Sequence, residues 1–177
     1  MLERQWRWHC CKKWVKMKTK IRSYVDKDIN EIVHLSLLAW ETVFLSFEQV
    51  LGSKIFPIFY PDWRKSQKDE VEKICKDQDK FHVLVVEVEG KVVGFLAYDL
   101  NQDNQTGEVQ LLAVHPEYQN QDIATEMNLI ALQKMKAEGM KLAVVGTGGD
   151  EGHAPARRSY EKAGYTPLPL VRYYKDL

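Results

Sequence analysis

The sequence lacks the features that mark several large classes of protein. It has three cysteines among 177 residues, of which Cys10 and Cys11 are adjacent and Cys75 stands alone. That arrangement supplies neither a disulfide framework nor a CxxC metal pair. No apolar run approaches the roughly 18 residues that span a bilayer, and the first 20 residues contain no uninterrupted apolar segment of a signal peptide. These absences predict a soluble, cytoplasmic protein without a structural metal and without a membrane partner.

Net charge is also absent, because 25 Lys and Arg residues balance 25 Asp and Glu residues. A general nucleic-acid-binding protein carries a basic excess, so the balance argues against a nucleic-acid partner. Residues 1–16 are the exception, with five basic residues, one acidic residue and three tryptophans. Basic residues interleaved with aromatics are one pattern of membrane-surface or single-stranded nucleic-acid binding. The sequence after Met17 reads as the natural start of a domain, which favours residues 1–16 as an extension outside the fold.

Residues 17–177 alternate between strand and helix periodicity and are long enough for one domain with a full core. The pattern predicts strands near residues 20–24, 81–90, 91–100, 108–116 and 140–149, the second and third joined as a hairpin at Glu89–Lys91. It predicts helices near residues 29–37, 40–60, 66–77, 123–139 and 153–163, with Pro57 and Pro61 breaking the second. Residues 165–177 are predicted to be a final strand pair or an extended tail. The fold class is therefore a single-domain α/β (α+β) fold.

The unit from Glu108 to Gly139 is the first place where chemistry can be argued. A strand that runs into a helix N-terminus leaves backbone N–H groups pointing out of the turn, and these suit a pyrophosphate. The turn is neither GxGxxG nor a Walker loop, so no dinucleotide or nucleoside triphosphate is indicated. On spacing alone, a phosphorylated cofactor and a turn that binds nothing both remain open.

Two motifs in this half of the chain resemble those of the GNAT N-acetyltransferases. The segment VHPEYQNQDIAT is similar to the acyl-CoA loop of that family, with Gln119 and Ala124 at matching positions. The segment HAPARRSYEKAGYTPL is similar to the family's closing helix, with matches at Ala156, Tyr160, Glu161, Lys162, Gly164 and Tyr165. A helix and a strand lie between the two motifs and a hairpin precedes them. The resemblance implies a mixed, mostly antiparallel central sheet flanked by helices over residues 17–177.

The resemblance also implies acetyl-CoA as the cofactor. It implies cofactor binding by the end of a strand, the loop and the start of the next helix: Leu112, Ala113, Val114, Gln119, Asn120, Gln121, Asp122, Ile123, Ala124 and Thr125. Two positions depart from the family pattern. Asp122 replaces a glycine, which brings a negative charge close to the expected pyrophosphate and predicts weaker binding. His153 stands where the family often has asparagine. We expect a structural role for it first, with a cap on the helix or a hydrogen bond to the cofactor or substrate as the alternatives.

The reaction that the resemblance implies is attack by an amine on the thioester of acetyl-CoA. Presenting an alkylammonium as free amine at pH 7 costs about 4.6 kcal/mol, so a general base is expected. Glu108 is the candidate base, with a surface strand-end role as the alternative, and Tyr160 is the candidate acid for the thiolate, with core packing as the alternative. Backbone N–H groups near Leu112 to Val114 are the expected oxyanion donors. Arg157 and Arg158 are expected on a solvated helix face.

The acceptor pocket is predicted from the aromatic residues of the first helices and the last segment, with Trp40, Glu41, Phe44 and Tyr173 as its residues. Aromatic walls with carboxylates suit a cationic amine. A small-molecule primary amine, aminoglycoside-like or a polyamine, is the first expectation, and a peptide or protein N-terminus is the alternative. A ligand-sensing or interaction module with weak or no catalysis is kept as a hypothesis from another class because of Asp122. A homodimer is left open.

Overall fold

The computed structural model describes residues 19–177, so the predicted extension at residues 1–16 lies outside the described residues. The described chain forms a sheet and four helices in an alternating order. The elements are β1 (Thr19–Ser23), α1 (Ile29–Phe59), α2 (Trp63–Lys76), β2 (Phe81–Val88), β3 (Lys91–Asn101), β4 (Thr106–Val114), α3 (Ile123–Ala137), β5 (Leu142–Val145) and α4 (Ala154–Lys162). Short 3-10 turns at Asp26–Asp28, Pro116–Tyr118 and Glu151–His153 precede α1, α3 and α4.

The sheet has the strand order β1-β2-β3-β4-β5. The pairs from β1 to β4 are antiparallel, and β5 runs parallel to β4. The predicted hairpin between β2 and β3 turns at Glu89 and Gly90, whose φ angles of 51° and 82° are the positive pair that tight hairpin turns favour. The predicted fold class, a single domain with a mostly antiparallel sheet flanked by helices, is confirmed.

Strand β4 changes partners along its length. Its pairing with β5 runs only from Thr106↔Leu142 to Val109↔Val145, whereas its pairing with β3 continues to Val114. The β3–β4 register shifts at the same point, because Tyr98 faces Val109 while Ala97 faces Leu111, which leaves Gln110 without a partner. Such a bulge bends its strand and increases the local twist. The C-terminal half of β4, from Gln110 to Val114, therefore diverges from β5 directly after the bulge.

Helix α1 unites two stretches that the sequence pattern separates, 29–37 and 40–60. Its break lies at Gly52, with φ 71° and ψ 173°, and the prediction that Pro57 breaks it is wrong because Pro57 lies inside the helix. Glycine adopts the positive φ at little steric cost, so the chain bends there. Helix α2 begins earlier than predicted, because the Asp62 side chain caps it by accepting a hydrogen bond from the Lys65 backbone N–H at 3.0 Å.

The core has two layers, one on each face of the sheet. On one face, α1 and α2 bury residues such as Ile32, Leu35 and Ile74 against β2, β3 and β4. On the other face, α3 buries Met127 and Met135 against the same strands. Helices α1 and α3 are thus held on opposite faces of one sheet. The region where β4 and β5 diverge lies between these two helices.

A final strand pair and an extended tail are the two predicted alternatives for the chain after α4. The structure has the extended tail, since residues 163–177 contain no strand. Pro167 and Pro169 lack the N–H groups that a sheet ladder requires, which accounts for this. The Tyr174 ring packs edge-on against Phe59 at 5.1 Å. Within residues 19–177, no helix is long and apolar enough to cross a membrane, and no three potential metal ligands cluster.

Candidate active site

A cavity of about 300 Å³ opens where β4 and β5 separate. Residues 109–114 of β4 form its floor, and the start of α3 and most of α4 form two walls. Ala39, Trp40, Thr42 and Val43 of α1 close part of another side. Beyond Val109 the edge of β4 has no strand partner in β5. An unpaired strand edge presents a row of N–H and C=O groups, so this edge can pair with an extended ligand that carries amides.

The loop between β4 and α3 makes a sharp turn at one end of this cavity. Asn120 and Asp122 both have positive φ angles, 58° and 59°, which Asn and Asp tolerate better than most residues. The Gln119 side chain holds the loop by donating a hydrogen bond from Nε2 to the Val114 carbonyl at 3.0 Å. Asp122 occupies the N-cap of α3 but makes no side-chain cap hydrogen bond. The first N–H groups of α3 are therefore left for another acceptor.

Instead of capping α3, Asp122 forms an ion pair with Lys162 of α4. The distance from Lys162 Nζ to Asp122 Oδ1 is 2.6 Å, and the two side chains are 59% and 73% exposed. Both residues line the cavity. The negative charge that the sequence places beside the expected pyrophosphate is thus matched by a cation from a helix 40 residues farther along the chain.

Tyr160 of α4 lines the same cavity and is 8% exposed. Burial, and then the neighbouring phenol of Tyr165, raise the pKa of Tyr160. The ring stays neutral at physiological pH for that reason, and a neutral phenol can donate a hydrogen bond. The Tyr160 hydroxyl has no hydrogen-bond partner within residues 19–177, so its donor is available to a ligand.

At the other end of α4, the turn before the helix brings Asp150 and His153 together. The distance from His153 Nδ1 to Asp150 Oδ1 is 2.6 Å, and the side chains are only 16% and 10% exposed. Arg157 donates hydrogen bonds to the carbonyls of Gly148 and Asp150 at 2.7 and 2.6 Å. The expected solvated-face position of Arg157 is therefore wrong, since its guanidinium is half-buried under this turn. Arg158 is exposed but lines the cavity.

The structure places ten of the eleven predicted cofactor residues along the cavity. These are Leu112, Ala113, Val114, Gln119, Asn120, Asp122, Ile123, Ala124, Thr125 and His153. Gln121 is the exception, because it is exposed and its amide points back to the Glu117 carbonyl at 3.4 Å. Glu108, the predicted base, is exposed and lies below the point of separation, paired with Asp99 and Val144 on its two sides. It is not among the residues that line the cavity.

Of the four predicted acceptor-pocket residues, the structure places one, Trp40, along the cavity. Phe44 is buried and stacks on Trp63 with ring centroids 4.3 Å apart, so it fills the space between α1 and α2. Glu41 is exposed and pairs with Arg64 at 2.8 Å. Tyr173 is 89% exposed in the tail. Most of the aromatic residues expected to form the wall of the acceptor pocket instead pack against other side chains, so they are not available to contact a ligand.

Three residues in or beside the cavity have a place in the site that sequence reasoning did not give them: Gln110 and Asp150 carried no predicted role, and Lys162 was only a match to the family's closing helix. Gln110, at the bulge, and Lys162 have no local signal for a site role, since each depends on a strand or helix that packs from elsewhere in the chain. Asp150 does carry a signal. It stands three residues before His153, the spacing that brings two side chains together on one helical turn.

Comparison with known proteins identifies the family. The sequence model of the acetyltransferase (GNAT) family matches residues 50–165. The chain belongs to that family. A curated relative, an uncharacterized N-acetyltransferase of Archaeoglobus fulgidus, is 30% identical over 107 residues, which span 56% of this chain and 71% of the relative.

Solved GNAT-like structures share the fold at low sequence identity. The PaiA N-acetyltransferase of Thermoplasma acidophilum, in complex with coenzyme A, has a TM-score of 0.67 at 16% identity over 88% of this chain and 94% of that one. An aminoglycoside acetyltransferase from an uncultured soil metagenomic sample, bound to sisomicin, scores 0.55 at 21% identity over 90% and 96%. A ribosomal-protein-alanine N-acetyltransferase from Brucella melitensis scores 0.58 at 17% identity over 90% and 99%.

Family membership makes this GNAT chain an acetyltransferase, and acetyl-CoA is its cofactor. The residues present fit that group in two respects. The unpaired edge of β4 offers backbone partners for the amides of the pantetheine arm. The uncapped N-terminus of α3 offers N–H groups for the pyrophosphate. Among the described residues that line the cavity, Asp122 is the one whose charge opposes the fit, and Lys162 offsets it.

Proposed function

We propose that this acetyltransferase transfers the acetyl group of acetyl-CoA to a primary amine of a small molecule. The observation that carries the proposal is the cavity between diverging β4 and β5, which brings Tyr160, the edge of β4 and the start of α3 together. When bound, acetyl-CoA supplies the acetyl group as an activated thioester. The protein then has to position that group, provide an amine as free base and accommodate the charge that leaves on sulfur.

The residues of the cavity divide these tasks. The Leu112 to Val114 edge of β4 offers backbone N–H groups toward the acetyl oxygen, as expected for an oxyanion site. Tyr160 donates its phenolic hydrogen bond toward the sulfur and protonates it as the acid. Its raised pKa makes full proton release costly, so donation is effective only where negative charge has built up on sulfur.

A small amine is favoured by how the acceptor side is closed. Trp40 and Val43 of α1 and the turn at Gly152 and His153 approach one another across the cavity. The Gly152 N–H bonds the Ser46 hydroxyl of α1 at 3.2 Å, which fixes this approach. The similarity to the sisomicin-bound acetyltransferase supports the same class, a cationic amine on a compact molecule.

A peptide or protein N-terminus is the second candidate acceptor. The similarity to the ribosomal-protein-alanine N-acetyltransferase favours it, at a TM-score as high as that to the aminoglycoside enzyme. The two candidates differ in how much of the acceptor needs to contact the protein. A peptide acceptor should lose activity steeply as it is shortened to its first residue, whereas a small amine has no such dependence.

The proposal is tested by calorimetric titration with acetyl-CoA, followed by thiol release with a panel of aminoglycosides, polyamines and short peptides. We expect micromolar binding and acceptor-dependent release of coenzyme A. Tyr160→Phe should lower kcat by about 10²-fold or more while the Kd for acetyl-CoA stays within about threefold. Absence of binding at millimolar acetyl-CoA, or binding without release for every amine, would refute the proposed transfer. Wild-type turnover by Tyr160→Phe would refute only the role of Tyr160.

A further inference from the structure

We propose that His153 is the general base for the acceptor. It removes the proton from the incoming ammonium, and Asp150 positions the His153 ring. This inference rests on the proposed transfer to an amine and adds the group that makes the amine nucleophilic. The sequence pattern gives that role to Glu108, which the structure places outside the cavity lining. His153 lies within the lining, beside Gly152 and across from Thr42 and Val43 of α1.

The hydrogen bond between the two residues determines which ring nitrogen can act. Asp150 Oδ1 lies 2.6 Å from His153 Nδ1. Asp150 titrates as an acid, so at neutral pH its carboxylate accepts and Nδ1 donates. Neutral His153 then carries its proton on Nδ1, which leaves the Nε2 lone pair as the acceptor. Within residues 19–177, Nε2 has no hydrogen-bond partner and is not a buried unpaired atom, so solvent or a ligand reaches it.

The surroundings keep Asp150 ionised. Burial alone would raise the pKa of its carboxyl, but the nearby Ser46 hydroxyl and the His153 ring outweigh burial and hold that pKa below its ordinary value. The other charged or titratable groups around the pair are Arg157, beneath the turn, Arg158 and Lys162, which line the cavity, Glu151 on the turn, and Tyr60 of α1. Arg157 Nη1 donates to the carbonyls of Gly148 and Asp150, and no ion pair between Arg157 and the Asp150 carboxylate is present in the described part of the chain.

The pair is also held rigidly. The Phe47 ring of α1 packs against the His153 imidazole at 5.2 Å. A Cβ on Gly152 would come within 2.9 Å of the Val43 backbone, so only glycine allows this close approach to α1. A Cβ on Gly148 would collide with the pair itself, at Asp150 Oδ1 and His153 Nδ1. Gly148 and Gly152 thus allow the turn to pack closely against the pair and against α1.

The proton and electron balance of the step is complete without another reactant. The acceptor ammonium gives one proton to His153 Nε2, and the freed lone pair forms the bond from nitrogen to the acetyl carbon. The bond from carbon to sulfur breaks with its electron pair on sulfur, which takes a proton from Tyr160 or water. The amide nitrogen loses its second proton to solvent, Tyr160 and His153 return to their starting states, and one proton is released in each turnover.

The first test is the pH dependence of kcat/KM with an active amine. His153→Gln should lower kcat/KM by about 10²-fold or more near pH 7, and the deficit should shrink as pH rises and more amine is free without help. Asp150→Asn should lower kcat/KM in the same direction, because a neutral amide no longer holds the ring proton on Nδ1 as a carboxylate does. Glu151→Gln, on the same turn but exposed and away from the cavity, is the matched control and should keep the wild-type profile.

The second test reads the ring itself, without turnover. Side-chain ¹H–¹⁵N spectra of the neutral ring in the free protein should show Nδ1 protonated and Nε2 as the acceptor in the wild type, and should lose that preference in Asp150→Asn. Added imidazole should restore part of the activity of His153→Ala but none to the control. Rescue also separates loss of the base from loss of the fold.

Each outcome bears on one proposal or the other. Amine-dependent turnover with an unchanged pH profile in His153→Gln would overturn the Asp150–His153 base and leave the transfer intact. A proton on Nε2 in the wild type would overturn it as well. If the wild-type protein binds acetyl-CoA but acetylates no amine, the proposed transfer fails, and the base role fails with it.

Discussion

Removing the charge of Asp122 is expected to tighten acetyl-CoA binding by about three- to tenfold. In the wild-type chain, Asp122 and Lys162 form an ion pair at 2.6 Å beside the start of α3, so together they present no net charge to a phosphate. Asp122→Gly or Asp122→Asn leaves Lys162 without this partner and changes the local charge by one positive unit. A pyrophosphate at the α3 N-terminus should then be attracted more strongly.

The size of the effect follows from the exposure of the pair. One unit charge 4 Å from a phosphate contributes about 1 kcal/mol in bulk water, and less at greater separation. The side chains of Asp122 and Lys162 are 73% and 59% exposed, so the bulk value applies and not the larger one for a buried pair. Two phosphates within reach make about 0.7 to 1.4 kcal/mol reasonable, which is about three- to tenfold in Kd.

The assay is calorimetric titration of acetyl-CoA at low salt and at 1 M salt. Asp122→Asn removes the charge and keeps a residue that tolerates the φ of 59°, whereas Asp122→Gly also removes the steric cost of that φ. Lys162→Met should act in the opposite direction and weaken binding by a similar factor. The charge effects should nearly vanish at 1 M salt, where the screening length is about 3 Å. An unchanged Kd in both Asp122 variants at low salt, or a change that survives 1 M salt, would refute the electrostatic reasoning.

Three further predictions concern the fold. Asp28 is buried, and the hydrogen bonds from Arg22 are the main reason that its pKa is lowered. Its ionised form therefore stabilises the fold above about pH 4, and this stabilisation is lost as pH falls through the lowered pKa. Asp28→Asn should lower the free energy of unfolding in urea by about 3 kcal/mol at pH 7 and by progressively less below pH 4. Gly152→Ala should lower the free energy of unfolding by about 1–3 kcal/mol, because the Cβ meets the α1 backbone, whereas Gly149→Ala, with nothing within 4 Å, should change it by less than about 0.5 kcal/mol. A chain beginning at Met17 should keep its melting temperature and acetyl-CoA affinity if residues 1–16 lie outside the fold, and a large loss of either would contradict that boundary.

The sequence pattern predicts the elements that have strong local periodicity. The β2–β3 hairpin and helix α3 follow from alternation, from turn residues and from the 3.6-residue period, and both lie close to their predicted positions. The bulge at Gln110 and the end of β4–β5 pairing at Val109 have no such signal, because they depend on how two partner strands compete for one strand. The ion pair between Asp122 and Lys162 is equally non-local.

The same limit applies to Glu108, the general base that the family resemblance predicts. Its position at the start of β4 suggests a site residue only if the whole strand faces the cavity. The structure shows that pairing with β5 covers the strand as far as Val109, so Glu108 is beside a partner strand and not in the opening. The spacing of Asp150 and His153 is a local signal for the proposed base, since residues three apart on one turn have their side chains on the same side.

The divergence of β4 from β5 places binding and proton transfer in separate parts of one cavity. The uncapped start of α3, with Asp122 and Lys162, lies where β4 ends, so we expect the charges of these two residues to act on the phosphates and thereby on the affinity for acetyl-CoA. His153 lies at the N-terminal end of α4 and is fixed to α1 through Phe47 and the adjoining turn, so the proton transfer proposed for it concerns the acceptor. Lys162 is at the C-terminal end of the same nine-residue helix. No described hydrogen bond joins the Asp122–Lys162 pair to the Asp150–His153 pair. A charge change at Asp122 should therefore alter the affinity for acetyl-CoA without altering the pH profile that depends on His153.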